Sequence, residues 1–124
     1  MDNLILEMTH RTPKVDFNVK TGEFLISGSS IPEDCLLFYK DIFNWLDDYL
    51  ETPRQKTILE LRMKFFNTST SKCLFTIFRK MEDLKNKGKE VIISWYYELE
   101  DTDMYESGVD FQQMIKVPFK IEKA

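Results

Sequence analysis

Between Thr57 and Tyr97 the spacing of apolar residues changes twice, and nothing else in the chain limits the possible folds as strongly. From Thr57 to Phe65, the residues Leu59, Leu61, Met63 and Phe65 alternate with Glu60, Arg62 and Lys64. A period of two belongs to a strand with one covered face. Leu74, Ile77, Phe78, Met81 and Leu84 then recur at intervals of three and four, the stripe of a helix that buries one side. Gly88 stands where a left-handed residue would end that helix. Val91-Ile92-Ile93-Ser94-Trp95-Tyr96-Tyr97 is almost continuously apolar, as expected of a buried central strand rather than an edge. This strand–helix–strand unit implies an α/β sandwich with a mixed β-sheet and helices packed against it.

The flanks agree with that class. Val15, Phe17 and Val19 alternate, Thr21-Gly22 turns, and Phe24 and Ile26 alternate again, which predicts a hairpin. Ile31-Pro32-Glu33-Asp34 reads as a helix entry with acids in its first turn. Phe38, Ile42, Trp45, Leu46, Tyr49 and Leu50 then mark a helix that Thr52-Pro53 stops. After Tyr97 comes an acid-rich stretch, then a short helix near Phe111 and a last strand over Ile115–Ile121. No linker or repeat interrupts the chain, so residues 1–124 are expected to form one domain. A chain of that length buries roughly two thirds of the surface its unfolded form exposes.

Composition excludes several function classes. A net charge of -4 gives no basic surface for nucleic acid. No 18-residue apolar run suggests a membrane span, and Met1–Lys14 does not read as a signal peptide. Cys35 and Cys73 fall inside predicted helices and read as reduced core thiols. A cytoplasmic location is the expectation.

At the junction of the alternating strand and the second helix stands Phe66-Asn67-Thr68-Ser69-Thr70-Ser71-Lys72, with four hydroxyls in succession. With a helix beginning near Ser71, one Ser or Thr would cap its free N–H groups; four exceed that need. Asn67-Thr68-Ser69 also fits a glycosylation pattern, which means nothing without secretion. A hydroxyl nucleophile would need a base; His10 lies in the N-terminal segment, and nothing beside Lys72 in the sequence would fit it for that task. With no Gly-x-Ser-x-Gly elbow, phosphate-binding glycine loop or metal-ligand cluster, an enzyme is not expected, nor a cofactor, nor a metal. Phosphorylation fits the run better. A phosphate beside a helix N-terminus meets unpaired N–H groups and the positive end of the dipole. Thr70 and Ser71, nearest the expected helix start, should turn inward, and Thr68 and Ser69 should be more exposed.

Together with Thr12-Pro13, Gly28-Ser29-Ser30-Ile31-Pro32-Glu33, Phe38-Tyr39, Trp45-Leu46, Tyr49-Leu50, Trp95-Tyr96-Tyr97, Glu100-Asp101-Thr102-Asp103-Met104, Glu106-Ser107-Gly108, Phe111 and Pro118-Phe119, the hydroxyl run resembles the SiaC-like family of bacterial regulatory phosphoproteins. The family's fold is like that of the STAS domains of anti-sigma-factor antagonists. The resemblance implies a STAS-like partner switch. A cognate Ser/Thr protein kinase of the histidine-kinase-like ATPase type phosphorylates the loop, and a PP2C-type phosphatase clears it. The unmodified form binds a target, in the best-known system a diguanylate cyclase that links the switch to cyclic-di-GMP and biofilm control. It implies Thr68 as phosphoacceptor, with Ser69 and Thr70 as alternates. Relatives often carry Ser where this chain has Thr70, which leaves a second threonine to compete.

Glu98, Glu100, Asp101, Asp103, Glu106 and Asp110 crowd the segment after Tyr97. They lack the spacing of a calcium loop and read as a solvated face or a docking surface. If the strands ending at Phe66 and Tyr97 are parallel, both following segments emerge at one end of the sheet. Asn67, Thr68, Ser69, Thr70 and Lys72 would then share a partner surface with Glu100, Asp101 and Asp103. The competing reading is a STAS-like small-ligand or nucleotide-binding module. Trp45, Tyr49, Trp95, Tyr96 and Tyr97 fit core and cross-strand packing better than a ligand pocket.

Overall fold

A computed structural model describes residues 1–124. The order of elements is β1 (Leu4–Leu6), β2 (Lys14–Asn18), β3 (Glu23–Ser30), α1 (Cys35–Glu51), β4 (Lys56–Phe66), α2 (Thr68–Asn86), β5 (Glu90–Tyr97), α3 (Thr102–Met114) and β6 (Phe119–Lys123). The strands form one mixed sheet in the order β1-β2-β3-β4-β5-β6. The first two pairings are antiparallel and the last three parallel. Each parallel step crosses to the next strand in the same direction, so right-handed crossovers carry α1, α2 and α3 to one face. Burial follows. Phe17, Phe24, Ile26, Leu59, Leu61, Ile93 and Trp95 are buried within a core cluster of 26 residues that also takes in the inner stripes of the helices.

The hairpin, the body of the first helix, the alternating strand and the left-handed Gly88 (φ +85°) all stand where the sequence puts them. Glu33 and Asp34, however, precede α1: its first turn carries no acid, and Asp34 is its cap, accepting from the Leu37 N–H. Four further points need correction. The short strand β1 carried no recognisable signal; it forms as an edge against β2. The segment after Tyr97 is mostly the thirteen-residue helix α3, and the last strand begins at Phe119 rather than Ile115. Asp103, Glu106 and Asp110 lie on its exposed side, while its inner stripe is only Met104, Gly108 and Phe111. Such a stripe is weak because a glycine takes its middle. A β-carbon on Gly108 would stand 2.5 Å from the Trp95 ring, so the glycine is what lets α3 lie against β5.

The third correction concerns β5. It is central in the sheet, but only one of its faces is covered, and Ile92 and Tyr96 remain partly exposed. Its continuous apolar run overstates its burial. The fourth lies at the end of β4. Gly28 pairs with Met63 but Ser29 pairs with Phe65, so Lys64 is an extra residue on the β4 side. The bulge reverses the alternation. Phe65 points outward, 56% exposed, and Phe66 turns inward to meet Trp95 edge-on at 5.9 Å.

Candidate functional site

The bulge delivers Asn67 to the start of α2 with no loop between. The helix begins at Thr68, three residues before the expected start, and its cap is Asn67 rather than a hydroxyl. The Asn67 backbone is extended and its side-chain oxygen accepts from the Thr70 N–H at 2.9 Å. All four hydroxyls therefore belong to the first turn or the residue after it, and helical geometry sorts them. Thr68 and Ser69 are exposed, Ser71 is half-buried and Thr70 is fully buried.

Thr70 anchors the turn. Its hydroxyl donates to the Ser30 carbonyl at 2.9 Å and lies 2.8 Å from the Ser30 hydroxyl, which lies 2.8 Å from the Tyr39 hydroxyl. Burial raises the Tyr39 pKa and keeps the phenol neutral within this network. The chain thus joins the end of β3, the inner side of α1 and the first turn of α2 by neutral hydrogen bonds. Thr70, named with Ser69 as an alternate acceptor and as part of the partner surface, has its hydroxyl committed below the surface. Ser30, its partner, is a residue to which the sequence assigns no evident role. Its place in the period-two pattern of β3 is the signal that could have turned it inward.

Thr68 is the first helical residue, so its N–H and that of Ser69 have no carbonyl one turn back to bond. Neither the cap nor the first turn of α2 carries an acid. By contrast, α3 has Asp101 as its cap, accepting from the Met104 N–H at 3.0 Å, and Asp103 in its first turn. The cap and first turn of α2 therefore supply no counter-charge of their own to the positive end of its dipole. Lys72 is exposed four residues past Thr68, on the same side of the helix.

Two depressions flank this turn. An open groove of about 430 Å³ runs between the starts of α1 and α2, with Glu33, Asp34 and Leu36 on one wall and Ser69, Lys72 and Thr76 on the other. Cys35 and Cys73 are free and buried at its base, with sulfurs 3.5 Å apart. The second, about 260 Å³, is lined by Phe65, Phe66, Asp101, Asp103 and Met104. Strands β4 and β5 are parallel, so the hydroxyl run and the acidic segment do emerge at one end of the sheet. Asp101 and Asp103 reach the strand end that carries Asn67; Glu100 is exposed in the turn before α3. No three His, Cys, Asp or Glu side chains stand close enough to hold a metal ion. A wider depression of about 590 Å³ on the open sheet face is lined by Asp16, Glu23, Glu60 and Glu122 against Lys120, a charge balance that disfavours a nucleotide. No helix is long and apolar enough to cross a membrane.

Comparison with known proteins gives concordant results. A family model described as SiaC family regulatory phosphoprotein matches residues 6–124. An uncharacterised protein of Pseudomonas aeruginosa (strain UCBPP-PA14) is 25% identical over 122 residues, 98% of this chain and 97% of that one. The crystal structure of apo-SiaC from Pseudomonas aeruginosa superposes with a TM-score of 0.92 at 24% identity, covering 98% of this chain and 99% of that one. A chain in the crystal structure of the diguanylate cyclase SiaD with its activator SiaC, from the same organism, superposes at 0.90 with 24% identity, again covering 98% and 99%.

Proposed function

Because the chain belongs to the SiaC family of regulatory phosphoproteins, we propose that it is a non-enzymatic switch, set by reversible phosphorylation of Thr68. A cognate kinase of the histidine-kinase-like ATPase type adds the phosphate and a PP2C-type phosphatase removes it. The unmodified form binds and regulates a target protein of the diguanylate cyclase class, and so acts on cyclic-di-GMP and biofilm formation. SiaC of Pseudomonas aeruginosa is the activator of such a cyclase.

One observation carries the reading: Thr68 is an exposed hydroxyl at the first position of a helix whose positive end has no acid of its own. A phosphate there adds about 1.5 to 2 negative charges where two unpaired N–H groups and the helix dipole favour them. Lys72, one turn on, is within reach for pairing with it. The interior need not respond, because the neighbouring Thr70 keeps the turn fastened to Ser30. The consequence falls on the surface. Asp101 and Asp103 outnumber Lys64 in the lining of the adjoining cleft, and a phosphate added to that end would repel a partner that tolerates the unmodified surface. Asn67, Ser69, Lys72, Glu100, Asp101 and Asp103 are the residues we place at that partner surface.

Incubation with the cognate kinase and ATP, read by intact mass, tests the switch. The wild-type chain should gain one phosphate and Thr68→Ala none, with unchanged thermal stability. Cyclase binding should survive in Thr68→Ala and weaken at least tenfold in the phosphorylated protein. Equal affinity of the two forms would defeat the proposal.

A further inference from the structure

We propose that Cys35 and Cys73 are a thiol-oxidation site, closed by a peroxide into a reversible disulfide that ties the start of α1 to the first turns of α2. The two residues are 38 positions apart, on different helices, and the fold brings their sulfurs to 3.5 Å. A disulfide requires about 2.0 Å, so closure asks for a relative movement of about 1.5 Å. Cys35 is the first residue of α1, directly after the Asp34 cap. A helix end is held by fewer backbone hydrogen bonds than a helix middle, so movement of that size is available to it.

The site is also reachable. Both sulfurs lie at the base of the open groove, Cys35 8% and Cys73 3% exposed. Cys35, the less enclosed, is the thiol a peroxide meets first. Burial, and secondarily the hydrogen bond with Cys35, push the Cys73 thiol up to about 12, which leaves the first attack to Cys35. In the first step the Cys35 sulfur attacks one peroxide oxygen and the O–O bond breaks. This gives a sulfenic acid and one water. In the second the Cys73 sulfur attacks the sulfenic sulfur, the S–O bond breaks, and the hydroxyl leaves with the Cys73 proton as a second water. Two thiols are oxidised and one hydrogen peroxide is reduced to two waters. A dithiol reductant restores the pair by exchange. Where disulfides occur in a reducing compartment, they are of this transient, sensing kind.

The pair touches the anchoring network directly. The Cys35 sulfur is 3.5 Å from the Thr70 hydroxyl, the same group that fastens the turn to Ser30. Drawing Cys35 toward Cys73 therefore disturbs the contact that sets where Thr68 and Ser69 stand. The effect on phosphorylation rests on the switch reading above; the disulfide itself does not.

The full chain, treated with hydrogen peroxide, quenched by alkylation, unfolded and mapped by peptide mass, decides the matter. The expected product is a linked Cys35–Cys73 peptide pair, both free thiols lost, no covalent dimer, and full reversal by dithiothreitol. Cys35→Ser and Cys73→Ser should each abolish the linked pair, and the wild-type map stands even if a variant fails to fold. Hydrogen exchange over residues 67–73 should change between reduced and oxidised protein, a readout that needs no kinase. Kinase labelling of Thr68 should then differ at least threefold between the two forms. Thiols that stay alkylatable, irreversible over-oxidation without a link, or intermolecular dimers would each overturn the site. A link that leaves exchange unchanged would overturn its coupling to α2. A reduced chain that no kinase labels would count against the switch alone.

Discussion

The two ends of α2 are fastened by different chemistry. Beyond the buried Phe78, Met81 and Leu84, the polar contacts of the C-terminal half are charged. Arg79 pairs with Glu82, Lys80 with Asp47, and the ammonium groups of Lys85 and Lys87 donate to the carbonyls of Lys116 and Leu50. The side-chain hydrogen bonds of the first turn are all between neutral groups: the Asn67 amide, the Thr70 and Ser30 hydroxyls and the Tyr39 phenol. Exposed ion pairs contribute little each and are easily rearranged, whereas buried neutral hydrogen bonds fix geometry. A protein that receives and loses a phosphate gains from that division. Its anchor at the modified end carries no charge that a phosphate would pair with or repel, so the anchor survives both states.

The largest expected effect comes from breaking the neutral anchor. Thr70→Val keeps the shape of the side chain and removes its hydroxyl. The Ser30 carbonyl loses a buried donor and the Ser30 hydroxyl a partner, at a cost of about 2 kcal/mol. For a chain this size the melting temperature should fall by roughly 8 °C. Thr68 should still accept phosphate well below that temperature. A fall of under about 2 °C would mean that the near end of α2 is held elsewhere, and the contrast between the two ends would lose its basis.

Much of this contrast was legible before any coordinates. The alternation over Leu59–Met63 and the stripe from Leu74 to Leu84 placed the strand, the helix and the junction between them, because period is a property of every residue in the segment. The inward turn of Thr70 and the exposure of Thr68 came out as expected, but from a helix that starts at Thr68 under an Asn67 cap rather than from hydroxyls capping a later start, and Ser71 is only half-buried. Three features were hidden, each because it depends on contact between segments. The bulge at Lys64 exists only in the register of β4 against β3, and without it Phe65 looks buried and Asn67 looks like loop. The partnership of Thr70 with Ser30 spans 40 residues. The approach of Cys35 to Cys73 depends on how α1 lies beside α2. Helix α3 was expected only as a short helix near Phe111, and its extent from Thr102 was missed for a local reason: its acids are conspicuous and its buried stripe, broken by Gly108, is not.

A smaller effect probes the charged end. The Glu82 carboxylate accepts from the Lys116 N–H at 2.7 Å and from Arg79 at 2.7 Å, and its side chain is 12% exposed. Burial acts to raise its pKa, but these donors outweigh it and the net direction is downward. A carboxyl whose pKa is lower folded than unfolded stabilises the fold above the unfolded value, about 4.3. It loses that contribution as pH falls through the lower, folded value. Glu82→Gln should therefore cost about 1 kcal/mol at pH 7, and the gap from wild type should close in acid. Denaturant melts at pH 7 and in acid check this. A gap independent of pH would make the Glu82 contact as neutral in character as the Thr70 anchor.

The smallest effect, and the one with opposite sign, is expected at Thr68 itself. Thr68→Asp places a carboxylate at the first helical position, beside free N–H groups and with no other acid in the turn. The helix dipole should then stabilise the fold by about 0.5 kcal/mol at low salt, and the gain should fade as ionic strength shortens the screening length. Part of it should come from Lys72, four residues on, so Lys72→Ala in the same background should remove about 0.3 kcal/mol. Opposing these are Glu33 and Asp34 across the groove and Asp101 and Asp103 in the neighbouring cleft. Denaturant melts of the single and double variants at low and high salt separate the two influences. A loss of stability relieved by salt would mean that the surrounding acids govern this end. The unfilled positive terminus of α2 would then be a site that opposes a phosphate rather than one that accommodates it.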